Sequence, residues 1–157
     1  ARLIGRLTAR AARDLRSGAD LIVPVPLHPR RLLWRRFNQS ALIGAVVADE
    51  IGVPLDAVAL VRVRATAPQV GLKGTERADN VAGAFQVPAG AIERVAGRSI
   101  LLVDDVITTG ATASAAARAL KRAGAARVDF LAFARATPGA DTALPVAFSP
   151  AAAGPRA

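Results

Sequence analysis

The residues best suited to chemistry lie in one run, ILLVDDVITTGAT, at positions 100–112. Four apolar residues lead into two adjacent carboxylates, Asp104 and Asp105. An apolar pair follows, and then Thr108, Thr109, Gly110, Ala111 and Thr112. Carboxylates at the end of a core strand need partners, because burying an unpaired charge is costly. A glycine lets the backbone approach a ligand closely. The helix expected from about Ala111 starts with N–H groups that lack intrahelical partners, and its dipole adds positive potential there. Threonine hydroxyls supply further donors. The turn is therefore a phosphate cradle, in which the dipole alone favours an anion by about 0.3–1 kcal/mol, and roughly 2 when partly buried. Ionised carboxylates only accept hydrogen bonds, so Asp104 and Asp105 suit the adjacent hydroxyls of a sugar. They also suit magnesium, which favours carboxylate and phosphate oxygens. Both point to a phosphorylated sugar with a metal nearby. The plainer alternative is an Asp-Asp turn followed by a helix capped by Thr108 or Thr109.

Two other phosphate motifs fit less well. A P-loop needs a lysine and then Ser or Thr after its glycines, and this run has none. A phospho-receiver domain takes its acidic pair from the first strand. Here the pair lies far along the chain, and the next acid, Asp129, falls inside a strand.

The elements that must position these residues follow from periodicity. Residues 1–16 place Leu3, Ile4, Leu7, Ala11 and Leu15 at helical spacing among arginines, giving an N-terminal helix over 1–18. A short buried strand spans 19–26 and ends at Pro24 and Pro26, followed by a basic loop. Asn38 caps a helix that runs to about Gly52, with Leu42, Ala45 and Val46 on its apolar face. Further strands are read at 56–63, 83–88, 97–105 and 126–135, and a helix at 111–123. Lys121, Arg122 and then Gly124 form a C-terminal signature for that helix. Residues 64–80 read as a long polar loop of the kind that is functional or disordered. From Ala136 to 157 the chain shows little pattern and reads as a poorly ordered tail. Alternating strands and helices give an α/β fold, a mainly parallel sheet flanked by helices, whose core covers residues 19–135. Ligands bind outside the carboxyl ends of such strands, which is where Asp104 and Asp105 fall.

The bulk numbers set outer limits. A chain of 157 residues suits one domain with a real core. No run of about 18 apolar residues predicts a membrane span, and no secretory signal is visible. With no cysteine there is neither a disulfide framework nor a cysteine metal site, in keeping with a cytoplasmic protein. A net charge of +9 suits polyanionic partners such as phosphate or nucleic acid. That charge is dominated by arginine in an alanine-rich chain, a usage that a GC-rich genome also produces.

The run at 100–112 closely resembles the ribose-phosphate signature of type I phosphoribosyltransferases. VPVPLHPRRLLWRRFNQSALI at 23–43 and RVRATAPQVGLKGTERADNVAGAF at 62–85 resemble the ComF family of competence-associated phosphoribosyltransferases. The resemblance covers about residues 19–135. It implies a type I phosphoribosyltransferase-like fold that binds phosphoribosyl pyrophosphate with Mg2+. Asp104 and Asp105 would hold the ribose hydroxyls, and the metal indirectly through substrate and water. Thr108, Thr109, Gly110, Ala111 and Thr112 would cradle the 5′-phosphate. Pro26, Leu27 and His28 fall where this class binds pyrophosphate. The loop at about 64–80 matches the mobile loop that closes over the site, with Gln69, Lys73 and Arg77 as candidates to meet the leaving group. His28, the only histidine, is a further candidate for catalytic contact, although it also reads as a plain turn residue.

Arg30, Arg31, Arg35 and Arg36 surround Trp34 and Phe37. Basic residues interleaved with aromatics suit single-stranded DNA or another anion, while a solvated basic face with aromatics packed inward is the plainer reading. ComF proteins commonly carry an N-terminal cysteine-rich zinc-binding segment, which a chain without cysteine cannot supply. The chain starts at Ala1 and reads as a fragment, a processed product or a short family member. Two functions remain open: a phosphoribosyltransferase of unknown acceptor linked to DNA uptake, or a non-catalytic phosphoribosyl pyrophosphate-binding module that serves the competence machinery.

Overall fold

The computed structural model describes residues 18–27, 37–64, 83–136 and 146–148. The helix expected at 1–18, the basic cluster at Arg30–Arg36 and most of the loop at 64–80 lie outside these residues, as does most of the tail.

Strand β1 (Leu21–Pro24) and helix α1 (Gln39–Ile51) come first, followed by the short β2 (Val61–Arg62) and β3 (Phe85–Gln86). A helical turn at Ala89–Ala91 leads into the one-turn α2 (Ile92–Val95). Then come β4 (Ser99–Ile107), α3 (Ala111–Arg122), β5 (Arg127–Arg135) and β6 (Val146–Phe148). The main sheet has the order β1-β4-β5-β6, with β1, β4 and β5 parallel and β6 antiparallel. The expected α/β architecture is thus the observed one.

Strand alternation divides the core between the two faces of this sheet. Ile22, Leu101, Val103 and Leu131 pack against Ile43, Val47 and Ile51 of α1. Val23, Ile100, Leu102, Val128 and Phe130 meet Ala113, Ala116 and Leu120 of α3 on the other face. Buried on both faces, β4 reads as a continuous apolar run, as a central parallel strand should. Each fully buried Leu or Ile there contributes about 1.5–3 kcal/mol.

Four expectations need correction. First, β4 runs to Ile107, beyond the acids, because β5 stays paired with it as far as Ile107–Arg135. Second, the segment read as a strand over 56–63 is mostly turn, and only Val61–Arg62 pairs, antiparallel with Phe85–Gln86. These two form a separate ribbon at the base of the long loop, where Arg62 lies 5.4 Å over the Phe85 ring. Third, α1 buries Ser40, Ile43, Gly44, Val47 and Ile51, while Leu42 and Ala45 are exposed. The helix is apolar nearly all round, so spacing alone fits a face one residue off. Fourth, Val146–Phe148, inside the segment read as tail, forms β6 against Phe130–Ala132. Three residues are too short to show a period of two.

Candidate functional site

The two strands that frame the site end at different heights. Pro24 of β1 pairs with Val103, and there β1 stops. Val25 still donates its N–H to Val103 O at 2.8 Å, and then Pro26 and Leu27 lead away. Proline cannot donate to a ladder, so Pro24 and Pro26 end the pairing. The stretch of β4 that carries Asp104 and Asp105 therefore outruns β1, and a cleft opens beside it.

The two acids line different hollows at the end of β4, although their carboxyls stay close enough to interact. Asp104 lines a hollow of about 150 Å³ on the α3 face, together with Ile107, Thr108, Gly110, Thr112 and Phe130. Asp105 lines an apolar groove of about 440 Å³ on the α1 face, with Phe37, Leu42, Ile43 and Phe133. Val106 borders both spaces. A larger hollow of about 550 Å³, beside Arg118, Lys121 and Arg127, lies at the other end of β5 and shares no residue with the acids.

The turn at 108–112 leads straight into α3. Gly110 is the N-cap of α3, with a left-handed φ of 80°, a conformation that favours glycine. It has no side chain to close the helix end, and Thr109 Oγ1 accepts from Ala111 N–H at only 3.5 Å. Thr108 and Thr109 are exposed, while Gly110, Ala111 and Thr112 are half-buried. Thr108, Gly110 and Thr112, at the start of α3, line the same hollow as Asp104.

Asp104 is held by a partner that spacing did not suggest. Ser40 Oγ donates to Asp104 Oδ1 at 2.8 Å across 64 residues of sequence, and Asp105 N–H donates to the same oxygen at 2.9 Å. Ser40 is buried, at 3% exposure. Its position is set by Asn38, whose Oδ1 accepts from Ser40 N–H at 3.1 Å and caps α1. Asn38 Nδ2 also donates to Val25 O at 3.1 Å. The start of α1, the end of β1 and the first acid of β4 thus form one clip. No local sequence signal reports that Ser40 faces an acid. Only the unusual burial of a serine would have shown it.

Burial, and after it the charge of Asp105, pushes the Asp104 carboxyl up to about 7, against the opposing pull of the Ser40 hydroxyl. A carboxyl raised in this way at a cleft is a mark of functional sites. Asp129 is different: it is buried beside Arg127, is paired in register with Leu101, and lies towards the other end of β5.

The structure thus brings together Asp104, Thr108, Gly110 and Thr112 around one hollow, with Thr109 and Ala111 in the same turn. Pro26 and Leu27 stand where β1 leaves the sheet. His28, Gln69, Lys73 and Arg77 lie outside the described residues, as do Arg30, Arg31, Arg35 and Arg36. Among the described residues no group of three His, Cys, Asp or Glu side chains could hold a metal ion, and no helix is long and apolar enough to cross a membrane.

Comparison with known proteins agrees with this geometry. The family model for the phosphoribosyl transferase domain matches residues 38–146. The DNA utilization protein YhgH of Salmonella typhi is 42% identical over 109 residues, which make up 69% of this chain and 46% of that protein. Competence protein F of Haemophilus influenzae is 32% identical over 140 residues, 86% of this chain and 61% of that protein. The chain thus spans about half the length of these curated relatives. Among solved structures, a hypoxanthine phosphoribosyltransferase from Staphylococcus aureus superposes with a TM-score of 0.54 over 90% of this chain and 68% of that one. At 12% identity, that likeness concerns the fold alone. With the family model matched over residues 38–146 and relatives of this kind, the chain belongs to the phosphoribosyl transferase domain family and, within it, to the ComF group.

Proposed function

We propose that this domain binds phosphoribosyl pyrophosphate with magnesium and transfers the phosphoribosyl group to an acceptor, with release of pyrophosphate. The observation that carries this reading is the single hollow shared by Asp104 and the Gly110–Thr112 turn. One wall accepts hydrogen bonds and the other donates them, as a sugar phosphate requires.

In this reading the Thr108–Thr112 turn takes the 5′-phosphate, and Asp104 and Asp105 accept from the ribose hydroxyls. Pyrophosphate lies at Pro26, Leu27 and His28, and Gln69, Lys73 and Arg77 meet it as it leaves. The anomeric C–O bond breaks, its electron pair leaves with pyrophosphate, and the acceptor nucleophile supplies the new bond and loses its proton. Positive charge builds on the sugar, as in other glycosyl transfers. Basic side chains stabilise the departing oxygens. A magnesium ion held mainly by substrate oxygens and water would be met from this chain by the carboxylates of Asp104 and Asp105, which suit such a hard cation. Such an ion supplies charge stabilisation at the leaving group. The acceptor belongs in the groove of Phe37, Leu42 and Phe133, because Asp105 and Val106 join that groove to the ribose side. Its apolar walls suit a flat ring.

Titration calorimetry with phosphoribosyl pyrophosphate and magnesium tests the donor site, and absence of binding refutes it. A pyrophosphate-release assay across bases and amines tests transfer.

The names of the relatives favour a second reading, in which the same pocket serves as a sensor within DNA uptake or utilization. Donor binding without pyrophosphate release from any acceptor favours this module. Binding to single-stranded DNA that weakens with salt, and loses slope when Arg35 and Arg36 are neutralised, favours nucleic acid as its partner.

A further inference from the structure

Ser40 lies outside the phosphate turn and the pyrophosphate turn, yet it makes the closest recorded side-chain contact to the acid between them. A serine inside a helix commonly bonds back to the carbonyl four residues earlier. Ser40 is the second residue of α1, so no helical turn precedes it and that option is missing. At 3% exposure its hydroxyl also has little access to water. The Ser40 hydroxyl instead donates across the cleft to Asp104 Oδ1.

Ser40 Oγ and Asp105 N–H both donate to Asp104 Oδ1. An ionised carboxylate has roughly four lone-pair sites on two oxygens. With two donors converging on Oδ1, the orientation of the Asp104 carboxyl is set from the protein side. A neutral hydroxyl fixes the carboxyl without neutralising it, whereas an arginine or lysine at this position would compete with the ligand for its charge.

We propose that Ser40 is the positioning residue for Asp104, fixing the rotamer in which its carboxyl meets the ribose hydroxyl. Helix α1 then takes part in donor recognition from outside the signature run. This inference rests on the proposed function, because it assumes that Asp104 meets a ribose hydroxyl.

The test compares Ser40→Ala and Ser40→Thr with the unaltered protein, each checked for folding by circular dichroism. Each is titrated with phosphoribosyl pyrophosphate plus magnesium, and separately with inorganic pyrophosphate plus magnesium, a probe without a ribose. Ser40→Ala is expected to lose about tenfold or more in affinity for the sugar ligand, as for other supports of a binding group. Its pyrophosphate affinity is expected to stay within about twofold, and Ser40→Thr, which keeps the donor, to retain sugar affinity. If Ser40→Ala does not fold, Ser40→Cys replaces it, filling similar space with a weak donor. Equal losses for both ligands, or unchanged sugar affinity in the folded variant, overturn the positioning role and leave the proposed function standing. No sugar binding by the unaltered protein overturns both.

Discussion

Asn38 Nδ2 donates to the Val25 carbonyl across 3.1 Å, so the cap of α1 also holds the residue at which β1 leaves the sheet. One side chain thereby fixes the angle between a strand and the helix that follows it. It does so at the rim of the cleft.

Replacing Asn38 separates these two duties. Loss of an Asn cap costs about 0.5–2 kcal/mol, and loss of the bond to Val25 about 0.5–1.5 more. Asn38→Ala should therefore destabilise more than Asn38→Asp, which keeps the cap and loses only the donor. Urea unfolding midpoints measure both, and equal midpoints would refute the division.

The Asp104 carboxyl makes stability depend on pH in a definite direction. Its folded pKa, about 7, lies well above the ordinary aspartate value of 3.8. Between those values the folded state holds a proton that the unfolded state has released. The stability this proton provides is complete below the unfolded pKa and is lost as pH rises through 7. Asp104→Asn should remove that decline, so the variant melts higher than the unaltered protein at pH 8, with a smaller difference at pH 5. Thermal melts of ligand-free protein at the two pH values decide it.

The same acid is required for the ligand. Asp104→Asn combined with Asp105→Asn should weaken phosphoribosyl pyrophosphate binding more than tenfold while the fold persists, because amides accept less strongly and carry no charge. Unchanged calorimetric affinity in the folded double variant would refute the assignment.

Gly110 should resist substitution for reasons of backbone. At φ 80° a Cβ is strained whatever the space around it, and the nearest side-chain atom, Ile107 Cδ1, is 3.8 Å from where a Cβ would stand. Gly110→Ala should cost about 1 kcal/mol or more in stability. It should also weaken phosphate binding, read as inhibition of sugar-ligand binding by inorganic phosphate.

The sequence was most legible where local chemistry decides the structure. Asn38 and Gly52 bracket α1 as their types predict, and Lys121, Arg122 and Gly124 mark the end of α3. The apolar run before Asp104 located the central strand and its ligand edge. Features that depend on a distant neighbour were not legible. The face of α1 is fixed by what Ile43, Val47 and Ile51 meet on the sheet, which its own periodicity does not report. The length of β4 is fixed by β5, and the cleft by where β1 stops. That the two acids line different hollows follows only once β4 is known to continue past both.

Strand β6 carries a consequence for solubility. The nine residues of β5 are largely apolar, and β6 covers one side of that strand from Phe130 to Ala132. The opposite margin of the sheet is shielded too, where Ile22 exchanges backbone bonds with Pro54 and Asp56 at 2.8 and 2.9 Å. A chain cut after Ala136 would keep every residue of the candidate phosphate turn and lose this cover. Its bare β5 margin would be a template for pairing with other copies, and self-association is the expected cost of the shortening.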